Sequence, residues 1–549
     1  MFSRRTSAPL VFLTGLLLLA SVPARSAPAP AAVPAGKPNI LLILADDLGY
    51  GDVHCYNPQR GKIPTPNLDR LATQGMKFTD AHSSSGVCSP SRYTLLTGRY
   101  PWRTRLQAGI VNYLERPLIA PDRLTLAGLL RAQGYHTAAM GKWHLGWDWA
   151  IPAGQRALFA PVLGAVPPVS DAHRAAWRAT YAQAIGGGPT TRGFDSYFGT
   201  DVPNWPPYAF IENDRTVGRP SEFLPADQFR PLQASLAGPA LPGWQLTGVL
   251  PAVANRACDF LLRRAPQTEP FFLYLPLTAP HTPLAVNHEW AGRSGLNAYA
   301  DFVMETDAVV GRVLAALEQS GAADRTLVIF TSDNGCTPII GVRDLEAKGH
   351  YPSGPWRGYK ADAWEGGHRV PLIVRWPGQV AARAECDQLV QQADFMATFA
   401  ALLGTRLPDN AGEDSFNLLP LLRGGAEPVR ARAVNTAVSG LPTLRQGNWK
   451  IIFGLGGGGL VPPGGTAEVP PAGVQLYDLA SDPGETRNLA ADRPDLVAAL
   501  TAEMAKLVRE GRSTPGAPQA NDVPVAWRRF LDPRPDSRPS GEARRKMDD

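Results

Sequence analysis

At 549 residues, with 44% hydrophobic and 19% charged, the chain has ordinary globular composition and room for one large domain plus a smaller one. Its formal charge of +5 is small for that size and partly reflects basic residues at the two ends. Neither the balance nor its distribution reads as a nucleic-acid footprint.

Arg4 and Arg5 precede an apolar run over residues 9–20, and small residues follow through 24–27. A basic start, a short apolar stretch and a small-residue segment predict a signal peptide over residues 1–26. The run is too short to span a bilayer, which tells against the competing reading, an N-terminal anchor. Residues 27–37 read as a linker. The expected localisation is export, to the periplasm or the medium. No later stretch is long and apolar enough for a transmembrane helix, so no stable membrane insertion is expected.

Residues 39–44 (NILLIL) form a continuous apolar run, the pattern of a strand buried on both faces. Helical periodicity follows at 67–74 and 122–133, and further strands are expected at 135–140, 271–277, 326–331 and 370–376. Longer helices fit 253–264, 299–319 and 391–403. This alternation predicts an α/β fold with a large, mostly parallel sheet flanked by helices, in a domain spanning 38–440. Residues 150–250, rich in Pro, Gly and Ala, read as long loops with some helix. Short strands at 449–453 and 474–479 and a helix near 494–509 predict a smaller C-terminal α+β subdomain over 441–511, with a small antiparallel sheet. Residues 512–549 form a Pro- and Arg-rich tail.

Polar residues recur just after these strands: Asp46 and Asp47, Lys142 and His144, His281, then Asp333 and Asn334. In an open sheet with parallel strands, ligands bind outside the carboxyl ends of the strands. A single post-strand Asp is usually only a cap or turn former, but four strands delivering polar groups to one edge point to a site. Asp46, Asp47, Asp333 and Asn334 are hard oxygen donors with no His or Cys among them, which suits calcium or magnesium better than zinc. Cys88 precedes Ser89 and Pro90, the residue types of an N-cap and a first helical position, so a helix is expected to begin here with Cys88 at its positive end. The five cysteines, Cys55, Cys88, Cys258, Cys336 and Cys386, show no CxxC spacing. An odd number leaves at least one unpaired in an oxidising compartment, and the pairing of the others is not legible.

Cys88-Ser89-Pro90-Ser91-Arg92 followed by Leu96-Thr97-Gly98-Arg99 resembles the signature of type I sulfatases, in which the Cys is oxidised to formylglycine (3-oxoalanine). Five more stretches match that family in order: PNILLILADDLGYGDV, GYHTAAMGKWHLG, APHTP, TSDNG and RGYKADAWEGGHRVP. QLYDLASDPGETRNLA is similar to its C-terminal subdomain. The resemblance implies the alkaline phosphatase-like fold and an arylsulfatase-like sulfuric ester hydrolase. It implies Asp46, Asp47, Asp333, Asn334 and modified Cys88 as ligands of one calcium ion. It further implies Arg92 orienting the formylglycine hydrate, Lys142 and Lys360 on the sulfate oxygens, and His144 and His281 as proton-transfer groups. Glu365 and Arg369 would support structure.

Implied partners are a sulfated small molecule or glycan and, during maturation, a formylglycine-generating enzyme. A formylglycine-dependent phosphonate monoester hydrolase or phosphodiesterase is the alternative within the superfamily. An exported binding protein with unmodified Cys88 is a third reading, and it would not need both His144 and His281. The run TDVPNWPPY is shorter than in many relatives, so a substrate contact and a plain loop role stay open for Asp201 and Asn204. Trp143, Trp147, Trp149 and Trp205 could stack on substrate or belong to the core. The remaining histidines read as packed or solvated, with His82 and His350 set apart because each lies near a motif.

Overall fold

The structure, a computed structural model, describes residues 1–2, 36–160, 169–225, 235–264, 267–461, 466–467 and 472–531. Nearly all of the predicted signal peptide, most of the linker and the tail beyond 531 lie outside the described residues.

The apolar run at 39–44 becomes β1 (Asn39–Ala45), every residue of which is buried. The other strands of the main sheet are β2 (Met76–Phe78), β3 (His136–Lys142), β4 (Ser196–Thr200), β5 (Ile211–Glu212), β6 (Arg215–Thr216), β7 (Phe271–Pro276), β8 (Thr326–Ser332), β9 (Leu372–Arg375) and β10 (Ala384–Cys386). Their spatial order is β10-β2-β9-β8-β1-β7-β3-β4-β5-β6. The central five, β8-β1-β7-β3-β4, are parallel. The strand expected at 370–376 is antiparallel to β8, and β5 and β6 add antiparallel pairs at the far edge. The sheet is therefore mixed around a parallel centre.

Side-chain alternation along β1 shows why both faces need helices. Ile40, Leu42 and Leu44 join a core with Tyr93 and Leu96 of the helix Cys88–Thr97, Leu126 and Leu130 of Leu126–Ala132, and Phe395 and Phe399 of Phe395–Leu402. Leu41, Ile43 and Ala45 join the opposite core, with Leu68 and Leu71 of Pro66–Thr73, Val253 and Leu261 of Val249–Arg264, and Val310 and Val313 of Ala298–Gln319. Fully burying each such aliphatic side chain contributes roughly 1.5–3 kcal/mol. The expected helix at 391–403 is shorter, because Gln392–Asp394 makes a separate 3-10 turn ahead of it.

The C-terminal subdomain is a four-stranded antiparallel sheet in the order Arg432–Thr436, Pro442–Gln446, Trp449–Ile452 and Gln475–Asp478. Val434, Leu444, Ile451 and Leu476 cover one face, and Leu500, Met504 and Leu507 of the helix Pro494–Glu510 pack on them. All five cysteines are unpaired, with Cys88, Cys336 and Cys386 buried. No helix among the described residues is long and apolar enough to cross a membrane.

Candidate active site

The four parallel strands β8, β1, β7 and β3 are neighbours, so their carboxyl ends share one edge. Asp46 and Asp47 follow β1, Lys142 ends β3, His281 lies past β7, and Asp333 and Asn334 follow β8. Arg92 comes from the helix Cys88–Thr97, and Lys360 from a loop whose backbone N–H donates to the Cys336 carbonyl at 2.8 Å. All the post-strand residues singled out in the sequence thus meet at one place.

The contacts there alternate in charge. Lys142 Nζ lies 2.7 and 3.0 Å from the Asp46 carboxylate oxygens, and Arg92 donates two hydrogen bonds to Asp333 Oδ2, at 2.7 and 3.0 Å. Asp47 accepts from Lys360 Nζ at 2.7 Å and from Asn334 Nδ2 at 2.8 Å. Lys360 Nζ also reaches His281 Nε2 at 3.1 Å, while His281 Nδ1 donates to the Thr282 carbonyl. Cys88 Sγ sits 3.8 Å from Asp46 Oδ1. Burial raises the Asp46 carboxyl, but Lys142, His281, Arg92 and Lys360 outweigh it and hold the group well below the usual range. Burial, with the Asp46 charge beside it, pushes Asp333 up to about 6.

Backbone strain concentrates here as well. Asp47, His144 and Ala361, the neighbour of Lys360, have φ of 65°, 54° and 81°, a region that residues with a β-carbon normally avoid. The helix carrying Cys88 starts two residues earlier than the Ser-Pro pattern suggests. Cys88 is its first residue and Val87 its N-cap. The Ser89 hydroxyl is committed elsewhere, accepting from the Val111 N–H at 3.1 Å. Gly335 is required by a close approach: a β-carbon there would lie 2.0 Å from the Gly366 carbonyl oxygen.

The donors fit a hard divalent cation. Asp46, Asp47, Cys88 and His281 bring potential ligand atoms within 4.8 Å of one another, with Asp333 and Asn334 alongside. Asn334 Oδ1 is buried without a hydrogen-bond partner, an acceptor that a cation would satisfy.

A protein-family model described as Sulfatase matches residues 38–405. The chain belongs to the sulfatase family. It is a sulfuric ester hydrolase. It is 32% identical to the N-acetylgalactosamine-6-O-sulfatase of Bacteroides thetaiotaomicron, over 85% of this chain and 92% of that one. It is 34% identical to human arylsulfatase A, over 85% and 87%. Among solved structures, a sulfatase from the metabolism of multiple glycosaminoglycans by Bacteroides thetaiotaomicron superposes with a TM-score of 0.72 at 29% identity, covering 86% of this chain and 99% of that one. Ps i-CgsB, solved in complex with k-i-k-neocarrahexaose, gives 0.63 at 25% identity over 91% and 99%.

Several residues of this sulfatase site escape motif reading. Asp52 accepts from His350 Nε2 and the Gly49 N–H, each at 2.8 Å, and from the Tyr299 hydroxyl, so it braces the Asp46–Asp47 turn. Gln392 Nε2 donates to the Ser332 carbonyl at 2.6 Å, directly before Asp333. Asp201 Oδ1 accepts the His144 N–H at 3.1 Å. Trp143 and Trp147 belong to the core, whereas the Trp205 ring stands edge-on to His144 at 5.4 Å. Asp52 and His350 carried a weak signal, lying within or beside motifs; Gln392 carried none.

A second buried cluster joins the sulfatase domain to the C-terminal sheet. Asp80 meets Arg369 at 2.6 Å and Arg445 at 2.7 Å. Glu365 meets Lys450 and Arg369 at 3.0 Å, and Lys450 meets Glu485 at 2.9 Å. His82 Nε2 lies 2.8 Å from Asp80 Oδ1, His82 Nδ1 lies 3.0 Å from His368 Nδ1, and His368 Nε2 lies 3.3 Å from Lys450 Nζ. His368 Nε2 also lies 3.2 Å from the Ala363 carbonyl, which only accepts, so this nitrogen stands between a donor and an acceptor. Burial lowers both histidines, in keeping with neutral rings.

Proposed function

We propose that this sulfatase works after export with a formylglycine made from Cys88 by a formylglycine-generating enzyme, that Asp46, Asp47, Asp333, Asn334 and residue 88 hold one calcium ion, and that sulfated sugars are its substrates. The observation that carries this reading is the state of Cys88. Its thiol lies inside the ring of carboxylates and cations, yet burial pushes it up to about 12 despite Lys142 and Lys360. A thiol held protonated is a poor nucleophile, so the position is well placed and the unmodified side chain is the wrong reagent.

An aldehyde hydrate at residue 88 supplies two hydroxyls on one carbon, one to attack sulfur and one to expel sulfate. Calcium, when bound, supplies fixed positive charge beside the sulfate oxygens. Arg92, buried and bonded to Asp333, holds the edge of the site nearest residue 88, and Lys142 and Lys360 present ammonium groups to the ester's charged oxygens. Lys360 Nζ and His281 Nε2, 3.1 Å apart, share the proton needed by the leaving oxygen. His144 accepts the proton of the second hydroxyl. A sugar leaving group is supported by the carbohydrate sulfatase among the relatives and by the oligosaccharide complex of Ps i-CgsB.

The test is mass spectrometry of the tryptic peptide spanning residues 78–92 from protein made in its native host, together with turnover by Cys88→Ala. An aldehyde mass and lost turnover are expected. An unmodified thiol in fully active protein would end the formylglycine reading. Faster turnover of phosphodiesters than of sulfate esters would contradict the substrate class.

A further inference from the structure

His144 has φ 54°, so something must hold a β-carbon-bearing residue in a conformation it resists. Two grips do so. The first is the hydrogen bond from its backbone N–H to Asp201 Oδ1 at 3.1 Å. Asp201 directly follows β4, and β4 runs parallel beside β3 with Thr200 paired to Lys142. It is a carboxylate brought to the same sheet edge by a fifth strand. The second grip is on the ring: Nε2 lies 3.1 Å from the Val111 carbonyl oxygen. Val111 is itself fixed by its N–H bond to Ser89, next to Cys88.

A carbonyl oxygen only accepts, so Nε2 carries a proton. Burial, reinforced by Lys142 and Arg92, pulls the imidazole well below the usual histidine range, so this is its one proton. Nδ1 is then a bare lone pair, and it is buried with no hydrogen-bond partner on a residue only 3% exposed. A buried acceptor left unpaired is costly and persists where something else is meant to complete it.

We infer that Asp201 is a positioning residue, whose carboxylate holds the His144 backbone in the left-handed conformation that offers Nδ1, and not Nε2, as the proton acceptor of the sulfatase reaction. The inference rests on the reading of His144 as that acceptor. In the transfer, the O–H bond of the departing proton breaks, the Nδ1 lone pair takes it, and the ring becomes a cation still donating through Nε2 to Val111.

The experiment compares Asp201→Ala, Asp201→Asn and His144→Ala, prepared with residue 88 converted and calcium present, on 4-nitrophenyl sulfate. Histidine-selective 15N spectra of the same proteins report the tautomer without any substrate. The amide oxygen of Asn can accept the same N–H, whereas Ala cannot. Asp201→Ala is expected to lose about 10²-fold in kcat with KM little changed, the size of loss a misplaced group produces, and Asp201→Asn to recover most of it. The wild-type His144 signal is expected to be the neutral Nε2–H form, moving toward a tautomer mixture in Asp201→Ala. Equal losses in the two Asp201 variants, a rise in KM alone, a fall in Tm with kcat intact, or an Nδ1–H signal in the wild type would each overturn the inference. Unchanged turnover in His144→Ala would instead remove the proton-acceptor assignment on which it rests.

Discussion

The site at the carboxyl ends of the parallel strands and the seam between the two domains are made from the same residue types and do opposite things. In the seam, Asp80, Glu365 and Glu485 each face a cation within 3.0 Å, and two neutral histidines link them in one row. Three carboxylates balance three cations there, so a divalent ion would bring uncompensated charge, even though His82, Glu365 and His368 are close enough to hold one. In the site the carboxylates are also paired, but Asn334 Oδ1 and His144 Nδ1 are buried without partners, and Lys360 and His281 reach 12% and 9% exposure. The seam closes on itself and the site does not. Unfilled acceptors, more than buried charge or backbone strain as such, set the site apart, since Glu485 in the seam also has a positive φ, of 48°.

Four measurements would break or sharpen that contrast. The largest effect belongs to Cys88→Ala, which should abolish sulfate-ester turnover, on the order of 10⁶-fold as for other lost nucleophiles, with thermal unfolding close to wild type. Next, calcium added to chelator-treated protein should raise Tm and restore activity, and Asp46→Ala should erase that response; a calcium-induced Tm shift that survives in Asp46→Ala would place the ion elsewhere. In the seam, Lys450→Met strips the cation from Glu365 and Glu485 and should cost about 3–5 kcal/mol in denaturant unfolding. The folded fraction should keep kcat/KM near wild type, and a matching loss of activity would show that the seam is not separate from the site.

The smallest effect is a pH slope. His82 and His368 are lowered in the fold by burial, with Lys450 adding to the effect at His368. The unfolded chain therefore binds protons there first. Their contribution is complete above about pH 6.5 and is lost as pH falls toward the folded values, at up to about 1.4 kcal/mol per pH unit for each ring. Asp80 and Glu365, whose cation partners overcome burial, add a loss of the same sign below about pH 4. In His368→Gln, the decline of Tm between about pH 6.5 and 5 should flatten. An unchanged slope would mean that the ring is not buried as a neutral group.

Much of the site was legible because chain-local rules reach it. Asp46, Asp47, Asp333 and Asn334 each follow a strongly apolar strand, and parallel neighbours leave no other place for those ends to go. Lys360 and Arg92 required the motifs, since nothing about a loop lysine or a helix arginine announces what it faces. The end of the Cys88 helix was misjudged by the cap pattern because Ser89 uses its hydroxyl on Val111, a residue 22 positions away. The antiparallel direction of β9 was likewise invisible, because an apolar run has the same composition in either direction.

From the sequence alone came the α/β class, the order of its strands along the chain, the family, and the residues that converge at the strand ends. These follow from local periodicity and from motifs that lie within short stretches. Only the tertiary structure decided which buried charges close on one another, which stay open, that five cysteines remain unpaired, and that Asp201 grips His144 across 57 positions. Hydrogen-bond satisfaction is a property of groups brought together in space, and no spacing along a chain records it.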